Sequence, residues 1–297
     1  VGPPSTCPPG GRRLAALVCA IALAHGHPTA SRAEADAGGR QRTDAKLARE
    51  FNDPLTELPQ LFVQNAYTPS NYGTKAPANR VIARLIVPRI PRFSLFPFVQ
   101  LVRPSFSLVT LPTGRGSATT TEFGDMQLFD LVVLPWLARD LGLLMGVGPV
   151  FIFPTATDDR AGQGAWQVGP AFAAIYKGLP GVLIGGLLQN PISFAYTSPD
   201  RRPQSALLVQ PILLKQLWRG LYVKSADATW SFGWHDGAPT TIPLSLGVGY
   251  VLPRNGAPPL NLFVSGEWLA YRHDAPVAPQ TTVRLGFTIA FPQLRAW

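Results

Sequence analysis

The chain has 297 residues and a formal net charge of +9, with only 14% charged residues against 46% hydrophobic ones. Soluble domains carry about a quarter charged residues, yet no apolar run here reaches the about 20 residues of a membrane-spanning helix. The positive charges are scattered, with no Lys/Arg cluster interleaved with aromatics, which argues against nucleic acid as a partner. Low charge without spanning helices is what a membrane β-barrel requires, because lipid-facing side chains occupy alternate positions.

At the N-terminus, Arg12 and Arg13 precede the apolar run Leu14–Ala24, and small-residue sites follow at Ala33-Glu34-Ala35 and Ala35-Asp36-Ala37. This pattern predicts a signal peptide over residues 1–35. Both cysteines, Cys7 and Cys19, fall inside it, so the exported chain is expected to hold neither thiol nor disulfide. In residues 36–58, Leu47, Phe51, Leu55 and Leu58 recur at helical spacing, interrupted by Pro54. A short helical or plug-like segment at the periplasmic mouth is expected there.

From Pro59 the chain divides into strand-like segments of barrel length. They run over 59–67, 79–88, 96–104, 126–135, 143–153, 165–177, 179–190, 204–214, 219–229, 241–251, 260–271 and 281–291. Twelve is an even number, as single-chain bacterial barrels with both termini periplasmic need. The expectation is therefore an all-β, transmembrane antiparallel barrel over 59–291, in the bacterial outer membrane and surrounded by its lipid. A periplasmic tail would occupy 292–297. Connections after the even strands are expected to be short and basic, with Arg89, Arg92, Arg139, Lys177, Lys215, Arg219 and Arg254 in or beside them. Those after the odd strands are expected to be long outer loops, including Ser105–Asp125. Aromatics near strand ends, such as Tyr67, Trp166, Tyr176, Trp218, Tyr250, Trp268 and Tyr271, suit two headgroup girdles.

Alternation assigns faces. In the tenth segment, Ile242, Leu244, Leu246, Val248 and Tyr250 would face lipid. Polar groups of the opposite phase are candidates to line the lumen: Gln64, Arg84, Gln100, Gln167, Gln189, Gln210, Lys224, Glu267 and Arg284. Asp130 and Asp227 fall in segments whose phase is ambiguous. Between these groups come small or apolar positions such as Ile82, Ile86, Phe98, Ala171, Ala173, Leu208, Ile212 and Phe263. An interior this sparse in charge suits small, weakly polar or aromatic solutes better than sugars or ions; it is equally the lining of a filled barrel. The last segment alternates cleanly, and its Arg284, Gly286, Ile289 and Phe291 resemble the polar-Gly-apolar-aromatic signal by which the barrel-assembly machinery recognises a closing strand. That strand should pair with the first one near Gln60–Tyr67.

Catalytic and cofactor chemistry finds little support. After residue 35 the histidines are His235 and His273, and no cysteine remains to make a transition-metal set. No metal or cofactor is expected. Asp158-Asp159 could at most hold calcium in an outer loop. Gly146-Val147-Gly148 lacks the Lys-Ser/Thr of a phosphate loop. His273 beside Asp274 is the one hint of a lipid-hydrolysing barrel, and a Thr/Gly/Ser-rich Ser105–Asp125 loop leaves an adhesive barrel open.

The stretch Gly146–Lys177 reads GVGPVFIFPTATDDRAGQGAWQVGPAFAAIYK. Its G-x-G-P-V-F-x-x-P-T-A-T-D-D frame, followed by W-x-x-G-P, resembles the bacterial outer-membrane family named for the meta-pathway of phenol degradation, also called simply transporter and often mislabelled neuromedin U. Weaker matches are L-A-x-x-x-N-x-P-L at Leu47–Leu55, Gly124-Asp125, and Leu208–Gln210 with Pro211. The resemblance implies a barrel, no catalytic residues, and uptake of small hydrophobic or aromatic compounds. The added Leu294–Trp297 departs from it.

Overall fold

A computed structural model of the chain describes residues 44, 46–74, 76–88, 99–112, 119–134, 142–225, 227–235, 237–254 and 257–296; the expected signal peptide, Phe98, Arg89, Arg92 and Arg139 lie outside them. The strands in chain order are β1 (Gln60–Tyr72), β2 (Ala78–Ile86), β3 (Val99–Pro112), β4 (Thr119–Phe123), β5 (Met126–Leu134), β6 (Leu143–Phe153), β7 (Ala165–Tyr176), β8 (Val182–Gln189), β9 (Ile192–Tyr196), β10 (Ala206–Trp218), β11 (Leu221–Lys224), β12 (Trp230–Gly233), β13 (Thr240–Leu252), β14 (Leu260–His273) and β15 (Ala278–Ala290).

These form twelve staves of one closed antiparallel barrel. Three staves are interrupted: β4 and β5 at Gly124-Asp125, β8 and β9 at Asn190-Pro191, and β11 and β12 over residues 225–229. Closure comes from β15 against β1, in a register running from Gln60↔Ala290 to Tyr67↔Val283. The amide of Phe291 donates to the carbonyl of Pro59 at 2.9 Å, adding one more bond to that seam. With every wall neighbour paired, the barrel leaves no open edge for lipid or another chain to meet.

The outer face is apolar because the pleat sends alternate side chains outward. Leu244, Leu246, Val248 and Tyr250 of β13 are exposed, as are Val283 and Leu285 of β15, where Leu285 is 59% exposed. Their intervening neighbours Gly247, Gly249, Thr282 and Thr288 point inward and are covered. Tyr176, Trp218 and Tyr250 are exposed towards the terminal end, where β1 begins and β15 finishes. Tyr67, Trp166, Tyr196, Trp268 and Tyr271 are exposed nearer the distal end. At the terminal end Arg219 stacks over the Trp218 ring at 4.8 Å, so one of the basic turns is laid along an exposed aromatic.

Connection lengths differ from the expected alternation. At the distal end β1 and β2 are separated only by residues 73–77, and β14 and β15 only by 274–277. Residues 105–112 and 119–123, expected as outer loop, are strand: β3 and β4 pair from Leu108↔Phe123 to Pro112↔Thr119. The reason is chemical. Polar Thr-rich segments such as Thr119–Thr121 read as loop, but a strand that continues past the membrane into water needs no apolar face. After β15, residues Pro292–Ala296 form a short 3-10 turn.

Candidate functional site

The interior has three levels. At the terminal end, a helix over residues 46–52 sits inside the barrel. Ala48, Phe51, Leu55 and Leu58 are buried in one cluster with inward residues of the wall, including Leu101, Phe129, Ala171, Ala173, Ile175, Leu187 and Leu214. Pro54 ends the helix, and Asp53 organises the turn that follows, its Oδ1 accepting from the Leu55 amide at 2.8 Å. The wall makes room with small residues: a Cβ added at Gly146 would stand 2.6 Å from the Leu55 side chain. Polar fastenings hold the segment. Lys177 makes an ion pair with the fully covered Asp53 carboxylate. Lys224 Nζ donates to Asn52 Oδ1 at 2.9 Å, and Gln60 Nε2 to the Glu50 carbonyl at 3.0 Å.

Above this plug lies a waist of charges and rings. Arg84 approaches Asp227 at 3.9 Å, and Gln210 Nε2 donates to the other Asp227 oxygen at 3.1 Å. Arg284 donates to Glu267 at 2.7 Å between neighbouring strands. Phe62 and Phe263 stack with centroids 5.5 Å apart. Arg84 lies over Phe62 and Lys224 over Phe263 at 5.1 and 4.1 Å, and Arg103 lies over Phe129 at 4.3 Å. Asp227 reaches this level from the break between β11 and β12, where it lines the same small cavity as Ser225.

Distal to the waist is a cavity of about 490 Å³. Ile152, Gln167, Pro191, Leu208, Ser231 and His235 are among its lining residues. Leu208 here and Gln210 at the waist are consecutive inward positions of β10, so the cavity and the charges lie one step apart along the wall.

Eight of the nine lumen candidates lie on the interior. Gln64 is 1% exposed, and Gln189 accepts from Gln127 Nε2 at 3.1 Å across strands that are not neighbours. Gln167 is bonded to Gln163. Arg84, Gln210, Lys224, Glu267 and Arg284 stand at the waist as described. Gln100 is the exception and is corrected: it faces outward, where its amide donates to both oxygens of Asp130 at 2.8 Å. Its neighbour Leu101 points inward at 1% exposure, in phase with Arg103 and Ser105, while Phe106 is exposed on Gln100's side. Ending the strand at Pro104 hid the phase. The pattern Arg103, Ser105, Ser107 against Val102, Phe106, Leu108 continues through that proline and places Arg103 in the lumen. Arg103 is the principal residue that the sequence reading left out, and Asp227 the one it left unassigned. Pairing a lone outward carboxylate with an amide fits the cost of a bare charge at a lipid face.

The motif residues of 146–170 build wall and loop. Pro149 and Pro170 face each other across β6 and β7. The glycines before them permit close backbone approach, since a Cβ at Gly148 would overlap the Asp130 carbonyl and one at Gly169 the Asn190 carbonyl. The P-T-A-T stretch closes over the Gly124-Asp125 break: Thr155 and Thr157 hydroxyls accept from the amides of Met126 and Phe123 at 2.9 and 3.1 Å. Asp125 accepts from the amides of Ala156 and Gln163 at 3.3 and 2.6 Å. Asp125→Ala is expected to free this loop, making tryptic cleavage after Arg160 roughly tenfold faster or more, because two charge-assisted bonds are lost. Cleavage at the wild-type rate would remove the loop-fastening role.

In the same outer connection, hydrogen bonds from the Arg160 side chain and then its amide hold the Asp158 carboxyl down at about 2. A depressed pKa means the contact contributes fully above the ordinary value of 3.8 and is lost as pH falls towards 2. An NMR titration of the Asp158 carboxyl carbon should therefore have its midpoint near pH 2; a midpoint near 4 would show the pair is not formed. Asp159 pairs with Arg201 instead, and no group of three or more metal-ligating side chains occurs among the described residues. His273 meets Asp274 at 3.2 Å on the exposed distal rim, with no serine hydroxyl bonded to it among the described residues.

A closed twelve-stave antiparallel barrel with an apolar outer belt and a polar, partly filled interior is a bacterial outer-membrane β-barrel. Among solved structures, an outer-membrane channel from Pseudomonas putida F1 superimposes with a TM-score of 0.51 at 15% identity, covering 79% of this chain and 94% of that one. KdgM porin aligns over 78% of this chain and 99% of its own, with a TM-score of 0.47 and 7% identity. The translocator domain of the autotransporter NalP from Neisseria meningitidis aligns over 88% of this chain and 97% of its own, with a TM-score of 0.37 and 12% identity. No protein-family model matches the chain, and neither does any curated protein.

Proposed function

We propose that this barrel is a passage for small hydrophobic or aromatic compounds across the outer membrane, with the segment before β1 as its plug. The observation that carries the reading is the distal cavity of about 490 Å³, set above a waist where the rings of Phe62 and Phe263 stack among the charged side chains. The cavity's wall mixes apolar residues such as Ile152, Pro191 and Leu208 with polar ones such as Gln167, Ser231 and His235, which gives a solute both an apolar bed and hydrogen-bonding anchors. The resemblance of the G-x-G-P…P-T-A-T-D-D frame to the phenol-degradation family supports the same solute class. The likeness of the barrel to the Pseudomonas putida F1 outer-membrane channel supports passage as such. Cells lacking the protein should take up toluene or benzyl alcohol more slowly when these are supplied at low concentration, and re-expression should restore the rate. Unchanged uptake, together with no saturable binding of either compound to the purified protein, would sink the reading.

The closing strand is read in the same way. Arg284, Gly286, Ile289 and Phe291 serve as the signal for the barrel-assembly machinery, with Phe291 rather than a later aromatic as its end. A chain truncated after Phe291 should assemble normally; failure to do so would move the signal into 292–297.

A further inference from the structure

We infer that the waist is a receptor for the carboxylate of a small amphiphilic acid, with Arg103 as its principal ligand and Arg84 and Lys224 beside it. The inference rests on the reading of the barrel as a passage for small apolar compounds and narrows the solute class to those carrying one anionic head.

Three cations, Arg84, Arg103 and Lys224, and two acids, Asp53 and Asp227, line the same small cavity of about 70 Å³, and Asp53 is already paired with Lys177. The wider barrel wall keeps the imbalance. Arg80 and Arg284 add two more inward cations and Glu267 one more inward acid, and Glu267 is already committed to Arg284. The existing pairings do not satisfy the three. Lys224 donates to a neutral amide, Asn52. Arg84 stands 3.9 Å from Asp227, beyond hydrogen-bond distance. The buried Nε of Arg103 has no hydrogen-bond partner, and Arg103 forms no ion pair among the described residues. A buried guanidinium without a carboxylate or carbonyl is costly to hold and is usually matched by something. Here the aromatic faces of Phe129 and Phe62 supply only part of the compensation.

The geometry also selects the partner's shape. A guanidinium presents a planar fork that fits a carboxylate in two parallel bonds. Around it stand Phe51, Phe62, Ile86, Ile212 and Leu214, an apolar lining that a hydrated inorganic anion would not use. The distal cavity, reached along Leu208 and Gln210, has room for the apolar body of a molecule whose head is at Arg103. Benzoate and short alkanoates have this form. Benzyl alcohol has the ring without the charge.

The test is calorimetric titration of the purified full-length barrel in uncharged detergent, using benzoate and benzyl alcohol as matched probes. Benzoate should bind at least tenfold more tightly, a preference worth ~1.4 kcal/mol. Arg103→Gln should abolish the preference while leaving benzyl alcohol affinity unchanged, and Arg103→Lys should retain part of it. Heat-modifiable gel mobility identifies any variant that has failed to fold; for such a variant, chloride competition against benzoate on the wild-type barrel replaces it. Strong displacement by chloride at equal concentration would overturn the selectivity for a carboxylate. Equal affinity for the two probes, or a benzoate preference that survives Arg103→Gln, would overturn the inference while leaving passage of neutral compounds standing. Binding of neither probe would remove both readings.

Discussion

Deleting residues 44–58 is expected to raise the single-channel conductance of the barrel several-fold while leaving its heat-modifiable mobility intact. The two outcomes separate because they depend on different bonds. The wall is held by the closed ladder of main-chain hydrogen bonds, sealed at β1 and β15, and none of that ladder comes from the deleted segment. The lumen, by contrast, is filled at its terminal end by Phe51, Leu55 and Leu58. Several wall positions facing it are small, including Gly146, Ala171 and Ala173, and the larger ones stand on strands fixed in the ladder, so the wall cannot close fully over the space. A milder variant probes the same latch. Lys177→Met leaves the covered Asp53 carboxylate without its cation, a defect that costs about 3–5 kcal/mol when the site cannot rearrange. The plug can rearrange, by withdrawing, so the expected readout is frequent opening in bilayer recordings rather than unfolding. Conductance unchanged in both variants would mean that the segment does not close the pore.

The wall was more legible in the sequence than its contents were. Period-two alternation is imposed by the pleat and by the lipid outside, so strands such as Thr240–Leu252 and the closing strand could be read residue by residue. Alternation fails where the environment stops imposing it. Beyond the membrane, Thr119–Phe123 is paired strand with water outside, and its polar sequence reads as loop. At β3 a proline inside the stave concealed the phase, moving Gln100 to the wrong face and Arg103 out of view. Breaks in the staves are a third case. Asp227 lines the lumen from the break between β11 and β12, and no pattern of period two can announce a residue that lies between strands. The segment inside the barrel was signalled by Leu47, Phe51, Leu55 and Leu58, of which Leu47 and Phe51 fall in the helix. Which wall residues receive it depends on contacts between positions more than a hundred residues apart, such as Asn52 with Lys224.

Gly148→Ala and Gly169→Ala are expected to block assembly, although each adds a single methyl group. In a strand wall an added Cβ normally points to lipid or lumen and meets a movable side chain. At these two positions it would overlap a main-chain carbonyl, that of Asp130 or of Asn190, on the adjoining stave. Asp130 is paired with Val102 on its far flank and the Asn190 amide is bonded to the Pro170 carbonyl at 2.9 Å, so neither stretch of main chain can step aside without disturbing its neighbours, and the cost belongs at or above the upper end of the roughly 1–3 kcal/mol typical of overpacking. The two sites also sit next to Pro149 and Pro170, which face each other and bring no amide hydrogen to the wall. A ladder already short of donors there has little left to lose. Gly266→Ala is the matched control, because a Cβ at Gly266 of β14 meets nothing within 4 Å. Folded yield in the outer membrane, read as the heat-modifiable band, should fall to a small fraction of wild type for the first two variants and remain unchanged for the third. If Gly148→Ala and Gly169→Ala assemble as well as Gly266→Ala does, the G-x-G-P and W-x-x-G-P frames are not wall-building devices. Their glycines would then have to be explained by the solute that passes them.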